Sequence, residues 1–237
     1  MSLPCPPLPV RAVLAATLFA LAGCTTQIVL PVAPEPDVAP APSTPALALA
    51  RLSWGWKHRA LEPCRDLFTC DYEFVFAAGD TNGARFQDRP WTRPDELDFA
   101  RHLFETGSAL APAASYVALD MGSDQAVLPD DRPGKDSGWH RRIDTPFVAV
   151  VEAPGRELRV LGFESFYFVR GDSACIPQEL RDRGYEPDST RWWIEHWEEF
   201  VVASGAPSAP RVARPPPLRP VTLGALKALY LDSPAAP

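Results

Sequence analysis

The chain has no basic excess: its 237 residues carry 23 Lys and Arg against 30 Asp and Glu. With a sequence pI near 5.1, it lacks the positive balance a nucleic-acid binder uses to meet phosphates. Beyond position 30 it holds no uninterrupted apolar run of about 18 residues, which excludes a multi-span helical membrane protein. It has no G-x-S-x-G, no H-E-x-x-H and no Walker sequence, so the hydrolase elbow, the zincin helix and the phosphate-binding loop are absent. No internal repeat is visible. What is present is apolar and aromatic: 46% hydrophobic residues, with 7 Trp and 12 Phe. That is too much for a disordered chain and suits one globular domain with appendages.

The appendages begin at the N-terminus. Arg11 supplies a positive charge, Ala12 to Ala20 a short apolar run, and Leu21-Ala22-Gly23-Cys24 closes it. The run is shorter than a membrane span and fits the apolar region of a secretory signal. These residues resemble the bacterial lipoprotein signal peptide, whose lipobox reads Leu-Ala-Gly-Cys. The resemblance implies cleavage before Cys24, a diacylglycerol on its sulfur and acylation of the new terminus, which together anchor a chain almost permanently. It also implies export to the outer membrane, because Thr25 rather than Asp follows the cysteine. Loss of Arg11 with the signal leaves 22 basic against 30 acidic residues, a formal −8. Such a surface favours a basic partner.

Proline marks the boundaries. Ten of the 28 prolines fall in residues 1–45 and eight after Ser204. The expected organisation is a signal at 1–23 and a lipidated Pro/Ala-rich tether at 24–48 that extends from the membrane. A globular domain follows at 49–205, then a Pro-rich strap at 206–220, and a C-terminal helix and tail at 221–237.

Inside the domain, Tyr72 to Phe76 alternates as a strand does, and an Asn82-Gly83 turn leads to a return strand at Arg85 to Gln87. Thr92 and Asp95 read as the start of a helix with Leu97, Ala100, Leu103 and Phe104 on one face. Ser115 to Met121 reads as a strand. Asp144 to Glu152 and Glu157 to Arg170 flank a Pro154-Gly155 turn and read as a long hairpin. Trp193, Trp197, Phe200 and Val201 fall at helical spacing after Ser189. Strands adjacent in sequence outnumber helices. The expected fold is therefore a single α+β domain with a mostly antiparallel sheet and two or three packed helices.

The cysteines suit an oxidising compartment. Cys64, Cys70 and Cys175 remain after Cys5 leaves and Cys24 is lipidated, enough for one disulfide. Cys64–Cys70 is the local pairing, and Cys70–Cys175 competes if the strands they border are neighbours. The C-x₅-C spacing with no second chelating pair is poor for zinc.

Candidate sites come from loops and aromatics. The polar loop Asp120 to His140 places Asp130, Asp131, Asp136, Trp139 and His140 together in sequence. Its carboxylates are hard ligands of the kind Ca²⁺ takes, without the EF-hand order, and a long loop on a scaffold is a usual place for binding. Trp54 and Trp56 would share a strand face and could form a sugar platform. His196 and Glu199, three apart on a helix, would touch. The expected role is a non-catalytic binding lipoprotein at the periplasmic face of the outer membrane, an envelope accessory or an immunity-type inhibitor of a secreted protein. It uses no cofactor and no metal, and its partner is a basic protein or a cell-wall glycan. The other reading is an envelope glycan or peptidoglycan hydrolase using Asp120, Asp124, Glu152 and Glu164 as paired carboxylates.

Overall fold

In the computed structural model, residues 38–81, 86, 89–123, 125–200 and 220–231 are described. The expectations for the signal peptide, Cys24, most of the tether, the Asn82-Gly83 turn, Asp124 and the strap up to residue 219 lie outside them. The described residues belong to one compact unit that begins at Pro36. No described helix is long and apolar enough to cross a membrane.

The fold is α+β. Helices α1 (Pro45–Lys57) and α2 (Leu61–Arg65) precede strand β1 (Phe68–Val75). Strand β2 (Trp91–Thr92) and helix α3 (Arg93–Arg101) follow, and α3 runs on into a π-helical turn, His102–Thr106. Next come β3 (Tyr116–Asp120), β4 (Val127–Pro129), β5 (His140–Ala153), β6 (Arg156–Arg170), α4 (Gln178–Arg181), β7 (Trp192–Phe200) and α5 (Leu223–Tyr230). The strand order is β2-β1-β7-β6-β5-β3, with β4 also on β5. The sheet is mixed rather than purely antiparallel, because β1 lies parallel to β7. Among the described residues five α-helical segments accompany it, of which α2 and α4 are single short turns.

The long hairpin β5–β6 organises the sheet. Its register runs unbroken from His140 opposite Val169 to Ala153 opposite Arg156. Gly155 turns it at φ +74°, a conformation that favours glycine. Along β5 every second residue is buried: Ile143, Thr145, Phe147, Ala149, Val151 and Ala153. That alternation gives the sheet an inner and an outer face. The inner face packs on α1, α3 and α5 to form the main core, which includes Leu52, Trp56, Phe74, Phe99, Phe147, Phe166, Trp197, Leu226 and Tyr230. A smaller cluster of Val169, Ile176, Leu180 and Trp193 lies apart from it, beneath the segment that precedes β7.

Four sequence expectations change here. The Trp193–Phe200 segment is strand β7, not a helix. Its register on β6 shifts at a bulge beside Glu195, which breaks the period of two and leaves apolar spacings that mimic a helical stripe. The tether-to-domain boundary moves, because Thr44 caps α1 by accepting from Leu47 N at 3.1 Å, with Pro45 at the first turn. Pro42 O, inside the expected tether, takes Trp192 N at 2.8 Å. Residues 52–57 are helical, so Trp54 and Trp56 do not share a strand face. Finally, the described partner of β1 after the turn is Trp91-Thr92, while Phe86 sits in a short helical turn. The capped start of α3 is as expected, with Thr92 and Asp95 in a reciprocal capping box.

Cys70 and Cys175 form the disulfide, with Cα atoms 5.3 Å apart. The local Cys64–Cys70 pairing is ruled out, since Cys64 is a free, buried thiol. Its Sγ would lie 2.7 Å from a Cβ at Gly55, so the absent side chain lets α1 and α2 approach. Cys70 N also donates to Cys175 O at 2.8 Å. The disulfide therefore reinforces a backbone contact between β1 and the segment following β6.

Candidate functional site

Two polar constellations stand out, one on each face of the sheet. The outer one grows from the loop between β4 and β5. Asp130 is almost fully buried and holds Arg132 through both carboxylate oxygens. Burial pushes the Asp130 carboxyl up. The hydrogen bonds and charge of Arg132, with Lys135 behind, outweigh this and leave it below the usual carboxylate value. Arg132 reaches on to Glu195 at the β7 bulge, where Lys135 also donates at 2.9 Å and His140 stands 4.0 Å away. The guanidinium of Arg132 lies 4.0 Å from the centre of the Tyr167 ring. Tyr167 in turn donates to Glu198 at 3.1 Å, and its hydroxyl is pushed up to about 12 by burial and by the Glu198 charge.

Most of the loop residues expected from sequence are thus internally paired. Asp131 accepts from Arg142 at 2.6 Å, and Asp136 accepts from Gly138 N at 2.6 Å. Trp139 lies under Arg170, ring centre to guanidinium 3.7 Å, while Arg170 is held by Asp172. The carboxylates do not converge on a common point as a Ca²⁺ cage would require. Asp130 and His140 come together around Glu195, whereas Asp131, Asp136 and Trp139 each have a separate partner. His196 meets Glu198 at 2.9 Å, not Glu199. In a strand, residues three apart point to opposite faces. Trp54 stacks on His58 at 4.0 Å, and Trp56 is buried in the core against Phe99, Phe104 and Phe147. No two-tryptophan platform exists there. Sequence reading missed Arg132, Lys135, Glu195, Tyr167 and Glu198. The alternation of β6 would have placed Tyr167 outward, but Glu195 was hidden by the helical misreading of β7.

The outer face also exposes apolar groups. Val75, Leu161, Phe163 and Phe200 are each more than a third exposed. Phe163 is registered against Phe200 and Pro146, and Leu161 against Val148.

The inner constellation is a closed chamber between the sheet, α3 and α5. Lys227 of α5 is wholly buried and pairs with Glu96 of α3. Its Nζ lies 3.7 Å from the centre of the Phe74 ring, 4.8 Å from Trp91 and from Trp197, and 5.4 Å from Phe99. Glu96 Oε2 also accepts from Trp91 Nε1 at 2.9 Å and from the Tyr72 hydroxyl at 3.3 Å. Glu164 of β6 accepts from Trp197 Nε1 at 2.8 Å, and its other oxygen, buried, has no hydrogen-bond partner among the described residues. Glu199 of β7 is the direct cross-strand neighbour of Glu164 and accepts from Leu223 N, at the start of α5, at 2.7 Å. Asp80 accepts from Thr222 Oγ1 at 3.0 Å. A Cβ on Gly224 would lie 1.9 Å from Asp80 Oδ2, so only glycine lets α5 seat against that carboxylate. Burial pushes both Glu164 and Glu199 up, Glu164 further helped by its neighbour's charge. Burial pulls Lys227 down, against the opposing pull of Glu96.

The carboxylates considered for glycan hydrolysis are scattered. Glu164 is sealed in this chamber, while Asp120 and Glu152 are exposed on β3 and the outer face of β5. One group of potential metal-ligand atoms occurs among the described residues, Cys70, Asp71 and Cys175, and its two sulfurs are joined in the disulfide. The hollow beside α1 and β3, of about 310 Å³, holds one ionisable side chain, Asp120.

No family model and no curated protein matches the chain. Among solved structures it is similar to a nuclear transport factor 2-like superfamily protein of Salmonella enterica serovar Typhimurium. Identity is 15% over 67% of this chain and 89% of the other, with a TM-score of 0.41. It is also similar to an NTF2-like protein of unknown function in nutrient uptake from Rhodospirillum rubrum, at 16% identity over 68% and 99% of the two chains and a TM-score of 0.42. An NTF2-like protein with a cystatin-like fold from Novosphingobium aromaticivorans gives 14%, 67%, 80% and 0.39 respectively. At these scores no ligand, activity or partner carries across.

Proposed function

We propose that the protein is a non-catalytic binding lipoprotein, held by acylated Cys24 at the periplasmic face of the outer membrane, and that the outer face of its sheet takes a basic protein partner. An envelope accessory and an inhibitor of a secreted protein both fit this role. The observation that carries the reading is the contrast between the two faces. The inner face is covered by α1, α3 and α5, and its carboxylates Glu96, Glu164 and Glu199 are buried among the described residues. On the outer face, Phe163, Phe200, Leu161 and Val75 are exposed among the described residues, on the same side as the Asp130–Arg132–Glu195 network. Apolar groups beside ordered charges are the usual makeup of a protein-binding surface. The formal −8 of the mature chain, 22 basic against 30 acidic residues, supplies long-range attraction for a basic partner.

The anchor and the partner are tested separately. Cys24→Ala should move the protein from the membrane fraction to the soluble periplasm. An unchanged distribution refutes the lipid anchor. For the partner, residues 36–237 with oxidised cysteines serve as bait in a periplasmic extract. A basic, stoichiometric protein released by salt and lost with Phe163→Glu supports the reading. Retention of peptidoglycan fragments that shorten with time overturns it in favour of a hydrolase.

A further inference from the structure

The inner chamber has the chemistry of a cation site, and its cation comes from the chain itself. Four ring faces surround the Lys227 ammonium at 3.7 to 5.4 Å, and Glu96 binds it directly. Rings plus a carboxylate suit an organic cation, because the ring face attracts positive charge, and apolar walls suit the alkyl stem of an alkylammonium. The charge balance is lopsided. Three buried carboxyl groups, Glu96, Glu164 and Glu199, act electrostatically on a single ammonium. Glu164 and Glu199 face each other directly across two strands, an arrangement that disfavours two negative charges. Glu164 keeps one oxygen buried and without a hydrogen-bond partner among the described residues.

The occupant is carried on the last described helix. Residues 201–219 lie between β7 and α5, and no described element follows α5. Its segment is joined to the sheet by the isolated bridge of Val160 with Val221 and by Glu199, which accepts from Leu223 N at 2.7 Å, rather than by a strand ladder. Its departure would cost that bridge and its backbone hydrogen bonds, the bonds of Thr222 to Asp80, Ser108 to Leu229 O and Tyr230 to Pro112 O, and the burial of Leu223, Leu226 and Tyr230.

We propose that this chamber is a binding site for a linear aliphatic diamine and that Lys227 is its resident ligand in cis. One ammonium of the diamine takes the place of Lys227 on Glu96, and the second ion-pairs with the Glu164–Glu199 pair, which gives up a proton to solvent as it binds. Recognition is by ion pairing and ring contacts alone, with no covalent step. The site is independent of the outer face, so failure of either reading leaves the other standing.

The probes are 1,5-diaminopentane, n-butylammonium, which copies the lysine side chain, and n-butanol as the neutral control. In the full chain carrying Lys227→Ala, n-butylammonium should raise the Tm saturably and n-butanol should not. 1,5-Diaminopentane should bind at least about tenfold more tightly than n-butylammonium, the ratio expected if its second ammonium gains about 1.4 kcal/mol. Adding Glu96→Gln should abolish both. Equal effects of n-butanol and n-butylammonium, or no saturable effect, overturn the proposal.

Should Lys227→Ala fail to fold, the wild-type chain decides. Lys227 is one of only three lysines, with Lys57 and Lys135, so amine acylation read by mass spectrometry is unambiguous. The diamine should increase Lys227 labelling at least fivefold relative to Lys57. Labelling of Lys227 that stays unchanged up to the highest diamine concentration at which the protein remains folded overturns competition with α5. The wild-type chain should bind the diamine more weakly than Lys227→Ala, because displacing α5 subtracts from the observed affinity.

Discussion

Replacing Lys227 by Met keeps the stem among the same rings and removes only the charge. What changes can be worked out from the chamber. Glu96 loses its ion pair but keeps two donors, Trp91 Nε1 at 2.9 Å and the Tyr72 hydroxyl at 3.3 Å. It is therefore buried and charged, but not bare. Breaking a buried pair from one side costs about 3–5 kcal/mol, and the two remaining donors place Lys227→Met near the lower end, about 3 kcal/mol. Glu96→Gln alone leaves the ammonium with Glu164 and Glu199 close enough to ionise in its favour, so its cost is smaller, about 2 kcal/mol. The double variant leaves no unpaired charge between these two positions, and the amide oxygen introduced at position 96 can still accept from Trp91 and Tyr72. It should sit only about 2 kcal/mol below wild type, a coupling of about 3 kcal/mol between the two positions. Urea unfolding of residues 36–237, followed by tryptophan fluorescence, measures all four corners of the cycle. A Lys227→Met loss under about 0.5 kcal/mol, or additive singles, would refute the view that the pair is buried and coupled.

The remaining predictions concern pH, the docking of α5 and the cysteines. Glu164 and Glu199 are raised in the folded state, so the native protein holds protons that the unfolded chain has released. Stability should therefore be fullest below about pH 4.5 as far as these two groups decide it, and fall as pH rises toward their folded values, by about 1.4 kcal/mol per pH unit for each extra proton held. Lys227, lowered by burial, acts oppositely in the alkaline range, where stability should rise toward its unfolded value. Glu96, Asp80 and Tyr72 face the same chamber, so the diagnostic is a difference. Glu164→Gln should flatten the fall above about pH 4.5, and an unchanged slope of denaturation midpoint against pH would count against the assignment. Gly224→Ala should unseat α5, because its Cβ meets Asp80, with a loss of about 2 kcal/mol or more. Recovery in Gly224→Ala/Asp80→Ala would identify the clash, and a neutral single variant would dismiss it. Cys70→Ser/Cys175→Ser should lower stability by about 2–4 kcal/mol. Residues 36–237 should show one thiol on unfolding without reductant and none while folded, because burial pushes the Cys64 thiol up; a thiol that titrates in the native protein contradicts that burial.

How much of this was legible depended on whether a signal was local. The β5–β6 hairpin announces itself by strict alternation and a Pro-Gly turn, and α3 by the Thr92–Asp95 box. The α1 start was equally local, but Thr44-Pro45 sits inside a Pro/Ala-rich run, and composition masked the cap. In β7 a single bulge at Glu195 turned alternation into a helical pattern, and this misplaced His196, Glu198 and Glu199 together. Cys70–Cys175 was legible only as one of two options, since a partner 105 residues away needs the tertiary neighbourhood to choose it. The chamber was not legible at all. Glu96, Glu164, Glu199 and Lys227 lie on four elements; Glu164 drew notice only as a scattered carboxylate and Glu199 only as a neighbour of His196, while Glu96 and Lys227 read as ordinary charges on amphipathic segments. Only the packing of α5 onto the inner face makes them a cluster.

That distinction bears on function. A sheet with one exposed face and one filled face has two ways to act, and the two depend on different parts of the chain. The partner site proposed on the outer face would work with α5 in place, because Phe163, Phe200 and the Arg132–Glu195 network lie on the other side of the sheet from that helix. The inner chamber works only if α5 yields. A partner on the outer face would bury β6 and β7 from one side, while Glu164 on β6 and Glu199 on β7 hold the start of α5 and its chamber from the other. Coupling between the faces is therefore a matter of two strands, and it must be reciprocal if it exists. A diamine that displaces α5 would change the affinity of the outer face for its partner by the same factor as the partner changes the affinity for the diamine. Measuring either factor determines the other, and a factor of one would make the two faces independent devices on a shared sheet.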